Sequence, residues 1–479
     1  MSKKTAIILL LACVLFAFAC ATNPVTGRKE LMLVSEEEEK EIGRATDQQV
    51  IQQFGLYPDK DLQDYIKAIG EKIVPHTHRP ELRYEFKVMD AEALNAFAVP
   101  GGYVYFTREI MAFFTSEAQL AGVIAHEIGH IAARHSAQLI TRAQLAQLGL
   151  GVASILSEDF RRYTDLAGIG VQLLFLKFSR DDERQADELG VEYASKAGYD
   201  SLRLAEFFRT LDRLSPGDTG GLPGWLSTHP APQDRVENVG KLTRLWQQKI
   251  PQDRFSINRD PYLKRIDGVI LGQNPRHGFV EGDNFYHPEF RFQFPVPSGW
   301  KVINSAAQVQ ILPASEDASI LLVLAAETSP TEAAGEFIRR SNASVLERSS
   351  TSVNGLSAAQ LLTEITTEKN RLRVLSFFIR KDSRIFAFHG YADSSRFASY
   401  ERAFQHTMRN FDDLRDQRIL EVRPDRVRVR GAPERGTLGQ VLSAMGVPHD
   451  KLEKTALLNG LELEDLVQKG MLLKIISNR

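Results

Sequence analysis

The run "VIAHEIGHIAARH", residues 123–135, constrains this 479-residue chain more than any other stretch. Three histidines and one glutamate sit among residues that are otherwise apolar or small, Arg134 excepted. A helix of that composition has to be buried, and a buried polar group is costly unless something receives it. His126 and His130 are four apart, so on a helix they stand one turn above each other and can reach a single cation. Neutral imidazoles suit zinc. Glu127 lies between them in the pattern H-E-x-x-H, where a carboxylate takes a proton from water rather than binding the metal.

His135 is excluded as a third ligand. On a continuous helix it lies about 900° beyond His126, on the opposite face. A metzincin extension would also place a glycine and a histidine where this chain has Ala133 and Ser136. The spacing predicts one helix from a capping box at Ser116 and Gln119 to about Gln147. A zincin of the other type takes its third ligand from a later helix. "FSRDDERQADELG" supplies Glu183 and, one turn on, Asp187, which can hydrogen-bond a ligand histidine from behind. Asp181, Asp182 and Glu188 compete with them, and spacing alone does not choose.

Three elements in this order, "HEIGH", "ERQAD" and "THPAPQDR", resemble the M48 peptidases. These are zinc metalloproteases that include bacterial periplasmic proteins of outer-membrane quality control. The likeness extends through "NPVTGRKELMLVSEEEE" and "LNAFAVPGGYVYFTRE", and so covers roughly residues 20–250. The resemblance implies a mainly helical, gluzincin-type catalytic domain with a small sheet and one zinc ion per chain. It implies Glu183 as the third metal ligand and Asp187 as its companion. It also makes His229 and Arg235 active-site residues. His229 would either fill the fourth metal position in a latent form or, with Arg235, stabilise the oxyanion. By resemblance to zincins, the strand Tyr103–Thr107 would either receive extended substrate by strand addition or serve as a plain core strand. The glycine-rich loop at 215–224, just before Trp225 and His229, is the candidate latch.

The N-terminus suggests where such an enzyme would act. Residues 1–19 carry two early lysines and an apolar run too short to span a bilayer, as a signal peptide does. Cleavage would leave Cys20 as the only thiol, because the other of the two cysteines, Cys13, departs with the leader. Its setting resembles a lipoprotein box, with Ala17 where leucine is usual, which points to acylation of Cys20 and a lipid anchor. Ala21 in the next position resembles lipoproteins of the outer membrane, so a periplasmic protein held there is expected. A net charge of −2 offers no basic face for nucleic acid.

Beyond the zinc domain the expected whole is an α+β multidomain chain. Two apolar patches between 148 and 178 read as a buried helical hairpin or as a plate facing a membrane or unfolded clients. Residues 251–284 read as linker, and 285–412 alternate strand-like and helical runs, as in an α+β domain. Residues 430–478 are similar to a LysM module through an early Thr-Leu, a central "LLNGL" and a late "LLKI". LysM modules contact peptidoglycan, although no aromatic residue lies between Gly436 and Ile475 for sugar stacking. The expected function is an envelope zinc endopeptidase for unfolded or misassembled proteins. The competing class is an envelope chaperone or binding protein with a closed zinc site.

Overall fold

A computed structural model describes residues 20–147, 177–214, 224–229, 234–251, 254–366 and 371–478. The leader, residues 148–176 of the apolar patches and residues 215–223 of the candidate latch lie outside the described residues. The chain divides into two units, one running to Leu271 and resuming at Asp425, the other spanning Gly272–Pro424. Both mix helix and sheet. No described helix is long and apolar enough to cross a membrane.

In the first unit, helix α1 (Glu36–Phe54) starts on a capping box of Ser35 and Glu38. Helix α2 (Lys60–Ile73) buries Leu62, Ile66, Ile69 and Ile73, the face its periodicity predicts. A three-stranded sheet follows, made of β1 (Glu85–Met89), β2 (Ala96–Val99) and β3 (Tyr103–Thr107), in the order β1-β3-β2. Gly101 and Gly102 turn β2 into β3 at φ +82° and +104°, and a Cβ on Gly102 would lie 2.2 Å from the Arg83 carbonyl oxygen. β3 is parallel to β1 and antiparallel to β2, so both its edges are taken. Tyr103–Thr107 is thus the centre of the sheet, and β2 is an edge.

Helix α3 (Arg108–Phe113) leads to α4 (Glu117–Ala132), which is buried from Ala118 to Ala132. Ser116 caps α4 through Gln119 N–H, but the Gln119 side-chain oxygen accepts from Thr115 N–H at 2.7 Å, one residue earlier than a capping box requires. The helix does not continue to Gln147 as its composition predicts. It stops at Ala133, Arg134 turns into the left-handed region at φ +60°, and α5 (His135–Gln147) starts afresh. That conformation disfavours a side chain. Here the Arg134 guanidinium is fixed by Glu39 Oε1 at 3.1 Å and the Val34 carbonyl at 2.9 Å.

Helix α6 (Arg180–Lys196) packs directly on α4. Two glycines permit the approach: a Cβ on Gly190 would sit 3.1 Å from the His126 backbone, and one on Gly129 would sit 3.2 Å from the Ala186 carbonyl. Helices α7 (Leu202–Asp212), α8 (Trp225–Thr228) and α9 (Arg235–Lys249) complete this layer. The stretch expected as linker contributes to the core: Arg259–Arg265 is helical, and the buried Tyr262 hydroxyl donates to the Met111 carbonyl at 2.6 Å.

The second unit holds a seven-stranded antiparallel sheet. Its strands are β4 (Lys301–Asn304), β5 (Gln308–Leu312), β6 (Ala318–Ala325), β7 (Ser344–Val353), β8 (Leu356–Thr366), β9 (Arg371–Lys381) and β10 (Arg384–Asp393). They run in the order β7-β8-β9-β10-β6-β5-β4. Helix α10 (Pro330–Ser341) packs through Ala333 and Ala334, and α11 (Phe397–Arg409) through Phe397, Phe404 and Met408.

The chain then returns to the first unit. β11 (Arg426–Gly431) pairs antiparallel with β12 (Leu472–Ser477), and α12 (Leu438–Ala444) and α13 (Leu452–Asn459) lie between them in sequence. Lys474 on β12 is fully buried, and its Nζ donates to the Ala112 and Phe114 carbonyls at 2.8 and 2.9 Å. It thereby caps the end of α3, just ahead of the helix that carries H-E-x-x-H.

Candidate metal centre

Four side chains from three elements converge below the surface. His126 and His130 come from α4, Glu183 from the first turn of α6, and His229 from the residue that closes α8. One ligand atom from each lies within 4.8 Å of all the others. The two imidazole Nε2 atoms are 3.2 Å apart. Glu183 Oε2 is 3.7 Å from His126 Nε2, and Oε1 is 3.5 Å from His130 Nε2. All four residues are buried.

The first turn of α6 settles which carboxylate faces this cluster. Asp182 is used in a capping box with Ser179, and Asp181 is exposed and paired with Arg184. Glu188 is exposed. Glu183 and Asp187, one turn apart, are the pair turned toward α4. Asp187 Oδ1 lies 3.0 Å from His126 Nδ1, behind the ring. Arg235 clamps Asp187 with Nε at 2.8 Å and Nη2 at 2.7 Å, and its Nη1 sits 3.1 Å from Glu183 Oε2. Nε and Nη2 thus grip Asp187 as a bidentate pair, while Nη1, next to Glu183, has no hydrogen-bond partner among the described residues.

The electrostatics favour a ligand-ready charge state. Burial works against ionisation of Glu183, yet the charge of His229 and the close approach of the His229 and His130 rings outweigh it and hold the carboxyl well below its usual range. Burial likewise opposes ionisation of Asp187, and the Arg235 charge wins. Burial pushes His130 well below its usual value, leaving a neutral ring. His229 goes the other way: burial lowers it, but the Glu183 and Glu127 carboxylates together raise it.

Glu127 is the unusual member. It is fully buried, and neither of its oxygens has a hydrogen-bond partner among the described residues. Its nearest polar neighbour of opposite type is His229 Nε2, at 3.7 Å. Glu183 Oε2 and His229 Nε2 are also without hydrogen-bond partners. Buried carboxylate oxygens left open are expensive in a finished core, so these atoms fit a site built for an additional group. Two imidazoles and a carboxylate, with His229 as a fourth converging residue, fit the nitrogen and oxygen donors that zinc takes.

Three residues around the cluster escape a reading based on motifs. Trp225 stacks on His229 (centroids 4.8 Å apart, planes at 20°), and its backbone N–H donates to the Leu94 carbonyl at 2.9 Å. Phe178 stacks on His130 at 4.1 Å. His135 is buried with its Nδ1 2.9 Å from His130 Nδ1, not on the far face as a continuous helix would have it. The one-turn spacing of Trp225 and His229 is a signal that could have found the first. The position of Phe178, immediately before the Ser179 cap, could have found the second. His135 had no such signal, because the break at Arg134 is a tertiary effect.

Residues 60–243 match peptidase family M48. Similar curated proteins include the putative beta-barrel assembly-enhancing protease of Vibrio cholerae, 29% identical over 222 residues, covering 44% of this chain and 46% of that protein. The beta-barrel assembly-enhancing protease of Escherichia coli K12 is 27% identical over 234 residues, covering 47% of each. The mitochondrial metalloendopeptidase OMA1 of Schizosaccharomyces pombe is 30% identical over 225 residues, covering 45% of this chain and 64% of that protein. The chain spans about half the length of the bacterial relatives it matches.

Proposed function

We propose, from the premise that residues 60–243 are a peptidase family M48 domain, that this chain is a zinc-dependent endopeptidase of the bacterial envelope acting on misfolded or unassembled outer-membrane proteins. The observation that carries the reading is Glu127: a buried carboxylate, open at both oxygens, beside two imidazoles and a third acidic ligand. A purely structural zinc site has no use for that group.

His126, His130 and Glu183 would hold the metal. Bound there, zinc would acidify water and polarise the scissile carbonyl. Glu127 takes the proton from the attacking water and returns it to the leaving amine. Asp187 orients His126, and Arg235 holds Asp187 and faces Glu183, so Arg235 positions ligands rather than touching substrate. His229 Nε2 is the donor available to a developing oxyanion. Substrate would add to the free edge of β2, whose Ala98 lines a small cavity with His130. Extended, unfolded segments can do this and folded ones cannot.

The envelope setting rests on the relatives, which are named for beta-barrel assembly, and on the leader and Cys20 of this sequence. Acylated Cys20 would anchor the protein to the outer membrane without a spanning helix. Peptidoglycan contact by residues 430–478 would rely on polar side chains, since that unit has no aromatic platform between Gly436 and Ile475.

A second reading, a latent or binding-only protein, draws on His229. Its Nδ1 is 2.8 Å from Glu183 Oε1, and it is the fourth residue of the converging group, so it could fill the remaining metal position. The deciting comparison is zinc content and hydrolysis of unfolded casein by the wild type, Glu127→Gln and His229→Ala. Glu127→Gln is expected to keep zinc and to lose activity by about 10²–10⁴-fold, the usual range for a general base. Equal activity in wild type and Glu127→Gln would remove the mechanism. Zinc-loaded wild type without activity, with activity appearing in His229→Ala, would establish latency.

A further inference from the structure

We propose that His135 is a positioning residue that fixes the tautomer and ring plane of His130. The inference rests on the zinc reading above and extends it to a residue with no place in the H-E-x-x-H pattern.

The argument follows the donors. His135 Nε2 lies 2.9 Å from Gln185 Oε1, a carbonyl oxygen that only accepts, so Nε2 carries a proton. His135 is buried, and the nearest carboxylate, Asp182 Oδ1, is 3.8 Å away, beyond hydrogen-bond distance. A buried ring with no carboxylate bonded to it is neutral, so its Nδ1 is bare and accepts. The atom 2.9 Å from that Nδ1 is His130 Nδ1, which must therefore donate. A neutral His130 protonated at Nδ1 has its lone pair on Nε2, the atom facing His126 and Glu183. Gln185, His135 and His130 thus form a chain that leaves the right nitrogen free for a cation. Asp187 Oδ1 lies 3.0 Å from His126 Nδ1, and Asp187, Glu183 and Gln185 all belong to α6. One helix thus backs both imidazoles, facing His126 with a carboxylate and reaching His130 through His135.

The fold places His135 deliberately. Without the turn at Arg134 it would sit on the far side of α4. Glu39 on α1 holds that turn, receiving Arg134 Nε on Oε1 and Arg79 Nη1, at 3.2 Å, on Oε2. Phe178 covers the other side of His130, so the ring has a stacked face and a bonded edge.

The test uses the full chain with His135→Leu and His135→Asn. Zinc affinity is read by competition with a chromogenic chelator. The protonated nitrogen of His130 is read in zinc-free protein by ¹⁵N NMR. His135→Leu is expected to weaken zinc binding about 10–100-fold, the range for losing a partner behind a ligand, and to let His130 populate the Nε2–H tautomer. His135→Asn places a carbonyl oxygen near the old Nδ1 and is expected to restore both readouts. Wild-type affinity and an Nδ1–H His130 in His135→Leu would overturn the proposal. So would equal weakness of both variants at wild-type melting temperature, since ring bulk rather than the acceptor would then matter. If His135→Leu does not fold, Gln185→Leu removes only the far end of the chain. It is expected to raise the Nε2–H fraction of His130 and weaken zinc binding, and no change in either overturns the idea. A wild type that binds no zinc would sink the zinc reading, while the tautomer in zinc-free protein would still judge His135.

Discussion

Histidines packed into a core occur in both units, and they behave differently. His287 and His389, in Gly272–Pro424, each close a local contact. His287 Nδ1 accepts from Phe290 N–H at 3.2 Å, and its ring stacks on Phe290. His389 Nδ1 meets Ser376 Oγ at 2.8 Å, and its ring stacks on Phe337. Burial pushes them down to about 3 and about 4 respectively, so both are neutral core residues. His126, His130 and His229 are buried, but their nitrogens converge with Glu183 beside a carboxylate that has no hydrogen-bond partner among the described residues. Burial and a lowered pKa therefore do not mark a site. Convergence around open buried oxygens does, because an ordinary core does not leave them.

The largest expected effect breaks the cluster itself. Glu183→Gln removes the anionic ligand and should weaken zinc binding by more than the roughly 10–100-fold expected for a partner behind a ligand such as Asp187. Retained wild-type affinity, measured by chelator competition, would detach Glu183 from the metal. By contrast, His389→Leu should leave zinc affinity unchanged.

A glycine in each unit sharpens the contrast. Gly190→Ala sets a methyl 3.1 Å from the His126 backbone and should destabilise the protein by about 1–3 kcal/mol, the usual cost of overpacking. Gly335→Ala, on α10, meets nothing within 4 Å and should stabilise by roughly 0.5–1 kcal/mol. Urea midpoints of the two variants moving in the same direction would contradict this account of the helix crossing.

The smallest effect is a pH dependence. His389 has a folded pKa of about 4, below its unfolded value near 6.5. Between those values the unfolded chain binds the extra proton, so stability is complete above about pH 6.5 and falls as pH drops toward about 4. His389→Leu should show a shallower decline of urea midpoint over that window. Superimposable curves for variant and wild type would show that His389 titrates alike in both states.

Much of the centre is legible from local spacing. A four-residue interval puts His126 and His130 on one helical face, and the same interval pairs Glu183 with Asp187. The choice of Glu183 over Asp181 and Asp182 is less legible, because it depends on which acid the Ser179 cap consumes and which faces solvent. The role of β3 stays open in the sequence for a related reason: composition identifies a strand but not its neighbours, and Tyr103–Thr107 turns out to be central, the plainer of its two readings. The reading of 251–284 as linker fails at Arg259–Arg265, where a short helix is stabilised by packing Tyr262 into a core built from distant segments.

The order of residues along the chain thus puts His126 and His130 on one helical face with Glu127 between them in sequence, since helical periodicity follows from backbone geometry alone. Tertiary structure decides the rest. The crossing of α4 and α6 at Gly129 and Gly190 brings Glu183 to the histidines. The buried Glu39–Arg134 pair breaks α4 and swings His135 back behind His130. Both depend on contacts between residues far apart in sequence, whose energies outweigh the local preference for an unbroken helix.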